Sequence, residues 1–350
     1  MSIIQNQKVL VTGGAGFIGS HLIDDLLAAG NTVVVIDNFN DYYDPALKRI
    51  NAQAHLDHPA YTLIEGDIRS DADMDRVFGG SIEERPFDTV VHLAAMAGVR
   101  PSLQQPAYYM DVNLNGTQKL VDRIVASNKK HEQKTRLIFG SSSSVYGERS
   151  GESFKETDRV DQPLSPYAAT KAANELQLYA AHHTTGLKVV CLRFFTVFGP
   201  RQRPDLAIHK FCHLIDAGEP IELYGDGTTF RDYTFVKDIG QGILKAMQYA
   251  GRDDFKGYDI FNLGRSKPVK LKEMVEALEK HLGKKAVIEY KPMQIGDVPY
   301  TYAEIGHARE VLGYDPQTSF DQGVAKFVAW YLENKGKASK NIAKLVNVAT

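Results

Sequence analysis

Cysteine is nearly absent: the 350 residues include two, Cys191 and Cys212, and a single tryptophan, Trp330. Two thiols cannot build a disulfide framework, and neither stands in a CxxC pair or a Cys/His spacing suited to zinc, so no metal is expected. Both read as buried thiols of a reducing compartment. Long apolar runs are missing too. Nothing approaches the roughly 18 residues that a membrane span needs, and the first residues lack the basic-then-apolar order of a secretory signal. Charge of one sign is not in excess. With 41 basic against 43 acidic side chains the formal net charge is -2, which argues against nucleic acid or an anionic membrane held by bulk charge. No repeat or low-complexity linker interrupts the chain. The expectation is a soluble, cytoplasmic protein with no nucleic-acid or membrane partner.

What is present is a rhythm. Short β-branched runs at Lys8–Thr12, Thr32–Asp37, Tyr61–Glu65, Thr89–Leu93, Arg136–Ser141 and Lys188–Arg193 alternate with amphipathic stretches such as Phe17–Ala29 and Pro166–His183. Near-continuous apolar strands suit a parallel sheet covered on both faces, and repeated βαβ units predict a doubly wound α/β (Rossmann) sheet. Length suggests about two domains. After about Pro200, turn-rich pieces such as Tyr224-Gly225-Asp226-Gly227 interleave with helices predicted near Val236–Tyr249, Leu271–Leu282 and Phe320–Leu332, so a smaller C-terminal α/β domain is expected to bind substrate. The divisions expected are 1–199, 200–334 with some segments returning to the first domain, and a basic tail at 335–350.

Directly after the first strand, Thr12-Gly13-Gly14-Ala15-Gly16-Phe17-Ile18-Gly19 opens the first helix. Gly13 suits the tight turn, Gly16 lets a pyrophosphate approach the N–H groups of the helix N-terminus at Phe17 and Ile18, and Gly19 allows close helix-to-strand packing. Asp37 lies 24 residues beyond Gly13, at the end of the run Val33-Val34-Val35-Ile36. A carboxylate there binds both hydroxyls of an adenosine ribose and repels a 2′-phosphate, so NAD is expected rather than NADP. Asn38, Asp67, Ile68 and the small-residue run Leu93-Ala94-Ala95 complete the candidate cofactor residues. Asp67 reads equally well as the cap of a turn.

Tyr167 and Lys171, four residues apart on a helix opened by Ser165-Pro166, share one face. Such pairs are common on ordinary amphipathic helices. Weight comes from the hydroxyl cluster Ser141-Ser142-Ser143-Ser144, at the C-terminal end of the fifth strand, where open α/β sheets place their ligands.

With the TGxxGxxG turn, the serine-rich strand-five segment and the YxxxK pair together, the chain from Lys8 to about Leu332 resembles the extended short-chain dehydrogenase/reductase family. The resemblance implies Tyr167 as general acid/base, Ser142 hydrogen-bonding the same substrate oxygen, and Lys171 holding the nicotinamide ribose. A free phenol titrates near pH ~10. To act as a base near neutrality it needs its anion stabilised by the Lys171 ammonium and a positive nicotinamide.

Within that family, sugar-nucleotide 4,6-dehydratases carry an Asp-Glu pair before the Val-Tyr-Gly, and uronate decarboxylases keep a Glu. Here Ser143 and Ser144 stand in those places. The resemblance then implies that a 4-keto sugar can be reduced back only, and reduction on the other face is epimerisation. Phe230-Arg231-Asp232-Tyr233-Thr234-Phe235-Val236-Lys237-Asp238 is similar to the family's RDYxxVxD segment, which implies that Arg231 meets the nucleotide diphosphate; an ion pair with Asp232 or Asp238 is the plainer alternative. Gly296-Asp297-Val298-Pro299 is similar to the loop whose Asp, here Asp297, binds the uridine ribose, although Gln294 stands where galactose epimerases have an Arg.

Those galactose enzymes also have an Asn where Thr196 stands. By contrast, Arg201-Gln202-Arg203-Pro204-Asp205 and Ala97-Gly98-Val99-Arg100 resemble the UDP-glucuronate 4-epimerases. This implies that Arg203 meets the substrate carboxylate, with Arg100, Ser142, Ser143, Ser144 and Thr196 as further substrate candidates. The alternative is a loop cation paired with Asp205. The resulting expectation is an NAD-dependent enzyme interconverting UDP-glucuronate and UDP-galacturonate, with a UDP-sugar as partner. A homodimer is expected through the Tyr167 helix and the helix near Ala107–Ser127. A UDP-glucose/galactose epimerase, a decarboxylase and a non-catalytic dinucleotide sensor stay open, the last disfavoured by the joint presence of Ser142, Tyr167 and Lys171.

Overall fold

The computed structural model describes residues 4–79, 85–132, 134–148, 153–292 and 300–338. The first half runs β1 (Lys8–Thr12), α1 (Phe17–Ala28), β2 (Thr32–Asp37), α2 (Pro45–Gln53), β3 (Tyr61–Glu65), α3 (Asp71–Phe78), β4 (Thr89–His92), α4 (Val99–Gln104), α5 (Pro106–Met110), α6 (Gly116–His131), β5 (Arg136–Ser142), α7 (Pro166–Thr185) and β6 (Lys188–Phe194). It continues through β7 (Thr196–Phe198), α8 (Ala207–Ala217), β8 (Pro220–Tyr224), β9 (Phe230–Arg231), β10 (Tyr233–Phe235), α9 (Val236–Ala250), β11 (Tyr258–Leu263), β12 (Val269–Lys270), α10 (Leu271–Leu282), β13 (Val287–Lys291) and α11 (Phe320–Ala338).

Seven of these strands form one parallel sheet in the order β11-β6-β5-β4-β1-β2-β3. All five residues of β1 are buried. Successive side chains of a strand face opposite ways, so Val9 and Val11 enter one core while Leu10, with Val34 and Ile36, enters the other. That two-faced burial explains the unbroken apolar runs. The chain winds outward from β1 to β3, then restarts at β4 on the other side of β1. Where winding reverses, the carboxyl ends of β1 and β4 open a crevice, the usual ligand position in such sheets.

The seventh strand, β11, comes from beyond residue 199 and pairs with β6 from Tyr258↔Val189 to Leu263↔Phe194. Asp259 and Asn262 break its apolar run, which hid it from a reading of periodicity. Helix α9 likewise packs against α1 and the sheet. The remaining C-terminal elements form short two-stranded ladders, β13 on β8, β12 on β9 and β10 on β7. Phe327 is buried on α11, and Trp330 packs beside it against His209.

The helix expected near Ala107–Ser127 runs without interruption from α5 through a wider π-helical turn at Asp111–Asn115 into α6. In that turn the Asn113 amide brackets Met96, accepting from the backbone N–H at 2.8 Å and donating to the carbonyl at 3.0 Å, and it also donates to Thr170 Oγ1 at 2.9 Å. Extra backbone in a helix of this kind commonly serves a site. Among the described residues, no helix is long and apolar enough to cross a membrane.

Candidate active site

A cleft of about 530 Å³ runs across the carboxyl ends of the sheet, within the usual size range for small-molecule sites. At one end lies the glycine turn. Gly13 sits at φ +70°, and a Cβ there would stand 2.8 Å from the Ala94 nitrogen, so a larger residue collides with the Leu93-Ala94 backbone. Thr12 Oγ1 fixes that backbone by accepting from Leu93 N–H at 3.2 Å and Ala94 N–H at 3.1 Å. Helix α1 starts after Gly16 with no side-chain cap, leaving its first N–H groups for an anion. Gly16, Phe17, Ile18, Gly19, Ile68, Leu93, Ala94 and Ala95 line this end of the cleft.

Asp37 closes β2 there. Its carboxylate accepts from Ala15 N–H at 3.1 Å and Phe39 N–H at 2.9 Å, which leaves acceptor capacity for a ribose. Burial raises its pKa, against the pull of the Lys48 ammonium. Asn38 donates to Asp67 at 3.0 Å. Asp67 also caps its own turn, accepting from Arg69 N–H at 2.9 Å. Burial would raise its pKa, but hydrogen bonds from the Arg69 guanidinium, the Arg69 N–H and Asn38 hold it at about 2. The turn-cap reading of Asp67 therefore holds, and the residue lines the cleft as well.

The middle of the cleft is built by β5 and α7. Strand β5 ends on Ser142, whose Oγ accepts from Ser144 N–H at 3.2 Å and from Ser144 Oγ at 2.9 Å. Ser165 caps α7, its Oγ accepting from Ala168 N–H at 3.1 Å, and Pro166 opens the first turn, as expected for such a start. Tyr167 and Lys171 then line the cleft one turn apart. Lys171 donates to the Gly140 carbonyl at 2.7 Å and lies 4.6 Å over the Phe139 ring. Burial brings its ammonium down to about 8, opposed by Cys191 and Glu175. Burial also raises the Tyr167 phenol, whereas the Ser142 hydroxyl and the Arg203 charge pull it back. Ser142, Tyr167 and Lys171 thus share one wall with Ser143 and Ser144.

Thr196, Arg203 and Arg231 line the far end. Arg203 donates through Nε and Nη2 to Asp205 at 2.9 and 2.6 Å, so the paired loop cation does form, and it does so on the cleft wall. Arg231 donates to the Phe230 carbonyl at 2.8 Å. The carboxylates named as its alternative partners serve backbone groups. Asp232 accepts from Arg265, Ser266 and Ala303 N–H, and Asp238 from Gln317 and Thr318 N–H. Arg100 is exposed, with its guanidinium 5.2 Å over the Tyr224 ring. Gly98, at φ +114°, turns the chain into α4 just before it. Asp297 and Gln294 lie outside the described residues.

Sequence reasoning passed over Tyr42, Tyr43, Lys48 and Asn40, on the segment that follows Asp37. Asn40, Tyr42, Tyr43 and Lys48 line the cleft, and Lys48 donates to the Asn40 carbonyl at 3.0 Å and its side-chain oxygen at 2.8 Å. The aromatic pair Tyr42-Tyr43 beside a ribose-binding candidate was the available signal. Among the described residues lining the cleft, the carboxylates are Asp37 and Asp67, both at the glycine-turn end.

A serine, a tyrosine and a lysine facing a glycine turn across the switch point of a parallel sheet define a short-chain dehydrogenase/reductase site. A family model described as GDP-mannose 4,6 dehydratase matches residues 10–327, and the chain belongs to that family. The chain is 41% identical over 352 residues to UDP-glucuronate 4-epimerase 1 of Arabidopsis thaliana, covering 97% of this chain and 80% of that protein. It is similar to the structure of UDP-glucuronic acid 4-epimerase from Bacillus cereus in complex with UDP-glucuronic acid and NAD, at TM-score 0.83 and 34% identity, covering 93% and 99% of the two chains. UDP-glucose 4-epimerase with UDP-glucose, from Thermotoga maritima, matches at TM-score 0.82 and 29% identity, covering 94% and 99%.

Proposed function

We propose that this chain is an NAD-dependent 4-epimerase interconverting UDP-glucuronate and UDP-galacturonate. The observation that carries the reading is Arg203, a guanidinium lining the same cleft as Tyr167, its charge lowering the phenol's pKa against the effect of burial. A neutral hexose has no partner for such a cation, whereas a C6 carboxylate does. The similarity to UDP-glucuronate 4-epimerases along nearly the whole chain supports the same conclusion.

The residues fit NAD. The Gly13 turn leaves no room for a side chain, the α1 N-terminus is uncapped, and Asp37 offers a carboxylate at the end of β2. When bound, NAD supplies a hydride acceptor and donor for the sugar C4. Tyr167 takes the C4 hydroxyl proton and later returns it, with Ser142 holding the same oxygen. The Lys171 ammonium stabilises the phenolate from one helical turn away and, in this reading, holds the nicotinamide ribose. Arg231 and Asp297 grip the uridine diphosphate while the hexose turns and is reduced on its other face. Among the described residues lining the cleft, no carboxylate beyond Asp37 and Asp67 stands by to serve, besides Tyr167, as the further acid or base that eliminating water needs. In addition, Arg203 keeps the carboxylate of the 4-keto uronate, a β-keto acid, from reaching the alignment that expels carbon dioxide.

We place the substrate-binding role mainly in residues 200–334 and propose a homodimer packed through α6 and α7, since Leu176 and Tyr179 on α7 are 71% and 54% exposed. Both cysteines are buried and free, which suits a cytoplasmic location. The neutral-hexose reading keeps one support, the saturation of two Arg203 nitrogens by Asp205. Incubating the purified protein with UDP-glucuronate and UDP-glucose separately and analysing the sugars decides between them. UDP-galacturonate from the first and little UDP-galactose from the second is expected; the reverse overturns the reading.

A further inference from the structure

Arg203 has a divided environment. Its Nε and Nη2 face the Asp205 carboxylate, the Tyr42 ring lies 5.0 Å beneath the guanidinium, and Nη1 has no partner among the described residues. Tyr42 Oη donates to the same carboxylate at 3.4 Å. The side chains of Arg203 and Asp205 are 18% and 29% exposed, so the pair is half-dry, with Arg203 lining the cleft and Asp205 behind it toward solvent. A guanidinium clasped by a carboxylate through two nitrogens is close to a neutral unit. It offers an incoming anion the remaining N–H groups and a fraction of its charge.

The proposed reaction sets a condition on such a contact. The uridine diphosphate stays anchored while C4 presents one face and then the other to a fixed cleft wall. The C6 carboxylate moves with the ring, so it must leave its first position between the two steps. An Arg203 whose whole charge were free in a half-dry cleft would hold it there.

Resting on the uronate reading, we propose that Asp205 is a specificity-setting counter-ion that shares Arg203 with the substrate's C6 carboxylate, keeping the sugar held through Nη1 yet loose enough to turn. Tyr42, reaching over from the segment that follows Asp37, keeps the guanidinium over its ring and steadies Asp205.

The test is Asp205→Asn in the full-length enzyme as purified, titrated calorimetrically with UDP-glucuronate, UDP-glucose and UDP, with turnover measured by epimer formation. The Kd for UDP-glucuronate is expected to fall about tenfold, the gain of one charge-assisted contact, while kcat falls about as much. UDP-glucose and UDP should bind as in the parent. Asp205→Glu, which keeps the anion, should bring both constants back toward the parent. A Kd for UDP-glucuronate that rises or stays put shows that Asp205 merely aims Arg203, and Asn and Glu variants that behave alike show that charge is not the agent; either result overturns the proposal. Arg203→Ala in the same series separates the two claims. If it binds UDP-glucuronate and UDP-glucose as the parent does, the uronate reading itself fails; if it loses UDP-glucuronate while Asp205→Asn does not tighten, only the counter-ion fails.

Discussion

Two arginine–carboxylate pairs are built from the same chemistry, one with its carboxylate on the Tyr167 helix and the other on the loop between β7 and α8. Arg193 on β6 and Glu175 on α7 are 2% and 4% exposed. Arg193 gives Nε and Nη2 to Glu175 at 3.0 and 2.7 Å and Nη1 to Tyr146 Oη at 2.9 Å, and Glu175 also accepts from Ser141 Oγ at 2.6 Å. Tyr146 in turn donates to Asn262 on β11 at 2.7 Å. Every nitrogen of Arg193 has a partner inside the protein. Arg203 and Asp205 stop short of that, with Nη1 left over on the wall of a cleft. The difference teaches how to tell brace from binding site: a fully satisfied buried pair ties β5, β6, α7 and β11 together, whereas an unfinished pair beside a cavity has capacity for something else.

The comparison breaks first at the sealed pair. Glu175→Ala leaves the Arg193 charge buried and alone, and should cost ~3–5 kcal/mol of stability in urea unfolding, with UDP affinity of the folded fraction unchanged. A cost below about 1 kcal/mol would mean that the pair braces nothing. The next effect belongs to Tyr167. Tyr167→Phe should lower kcat by roughly 10²–10⁴-fold with near-parental Kd for UDP-glucuronate and near-parental stability, since the hydroxyl acts mainly in the transition state. A comparable loss in Kd would move Tyr167 from chemistry to binding.

At the glycine-turn end, Asp37→Ala should weaken NAD binding by ~1.5–3 kcal/mol, the range for hydrogen bonds to a charged group, and relax discrimination against NADP. Fluorescence titration with both nucleotides checks it, and equal affinities before and after substitution would put the ribose elsewhere.

Per histidine and per pH unit, the smallest effect belongs to acid stability of the sealed regions. Burial lowers His92 to about 3, between Thr12 Oγ1 at 2.7 Å and Thr117 Oγ1 at 2.9 Å, and lowers His21 and His209 to about 4 each. A histidine depressed in the folded state binds its proton more readily when unfolded. Its contribution is therefore whole above the unfolded value near 6.5 and is lost as pH falls toward the folded one, at up to ~1.4 kcal/mol per pH unit for each residue. Unfolding free energies measured from pH 7 to 5 should decline, and His92→Gln should flatten the slope. A slope untouched by that substitution would remove His92 from the account.

Most of the first six strands could be read from sequence because residues buried on both faces leave near-continuous apolar runs, the edge strand β3 with exposed Thr62 and Glu65 being the exception, and β1 to β6 follow the expected spans within a residue or so. The glycine turn, Asp37, Ser142, Tyr167 and Lys171 were legible because each depends on chain-local geometry: a strand-to-helix turn, a strand end, a spacing of four on a helix. What stayed hidden depends on distant partners. β11 carries Asp259 and Asn262, whose bonds to Tyr249 and Tyr146 come from other elements. The wider helical turn at Asn113 answers to Met96, and Tyr42 matters because Asp205 lies beside it, 163 residues later. Gly98 and Val99 line the cleft, whereas the neighbouring Arg100 guanidinium lies over the Tyr224 ring, a contact no local pattern announces.

The claim that an unfinished arginine pair selects a uronate is tested most directly by the ratio of kcat/KM for UDP-glucuronate to that for UDP-glucose, measured in the parent and in Arg203→Ala. The account predicts a ratio well above one that collapses by about one to two orders of magnitude in the variant, the equivalent of ~1.5–3 kcal/mol, while UDP inhibits both proteins equally. A ratio that survives the substitution unchanged would contradict it.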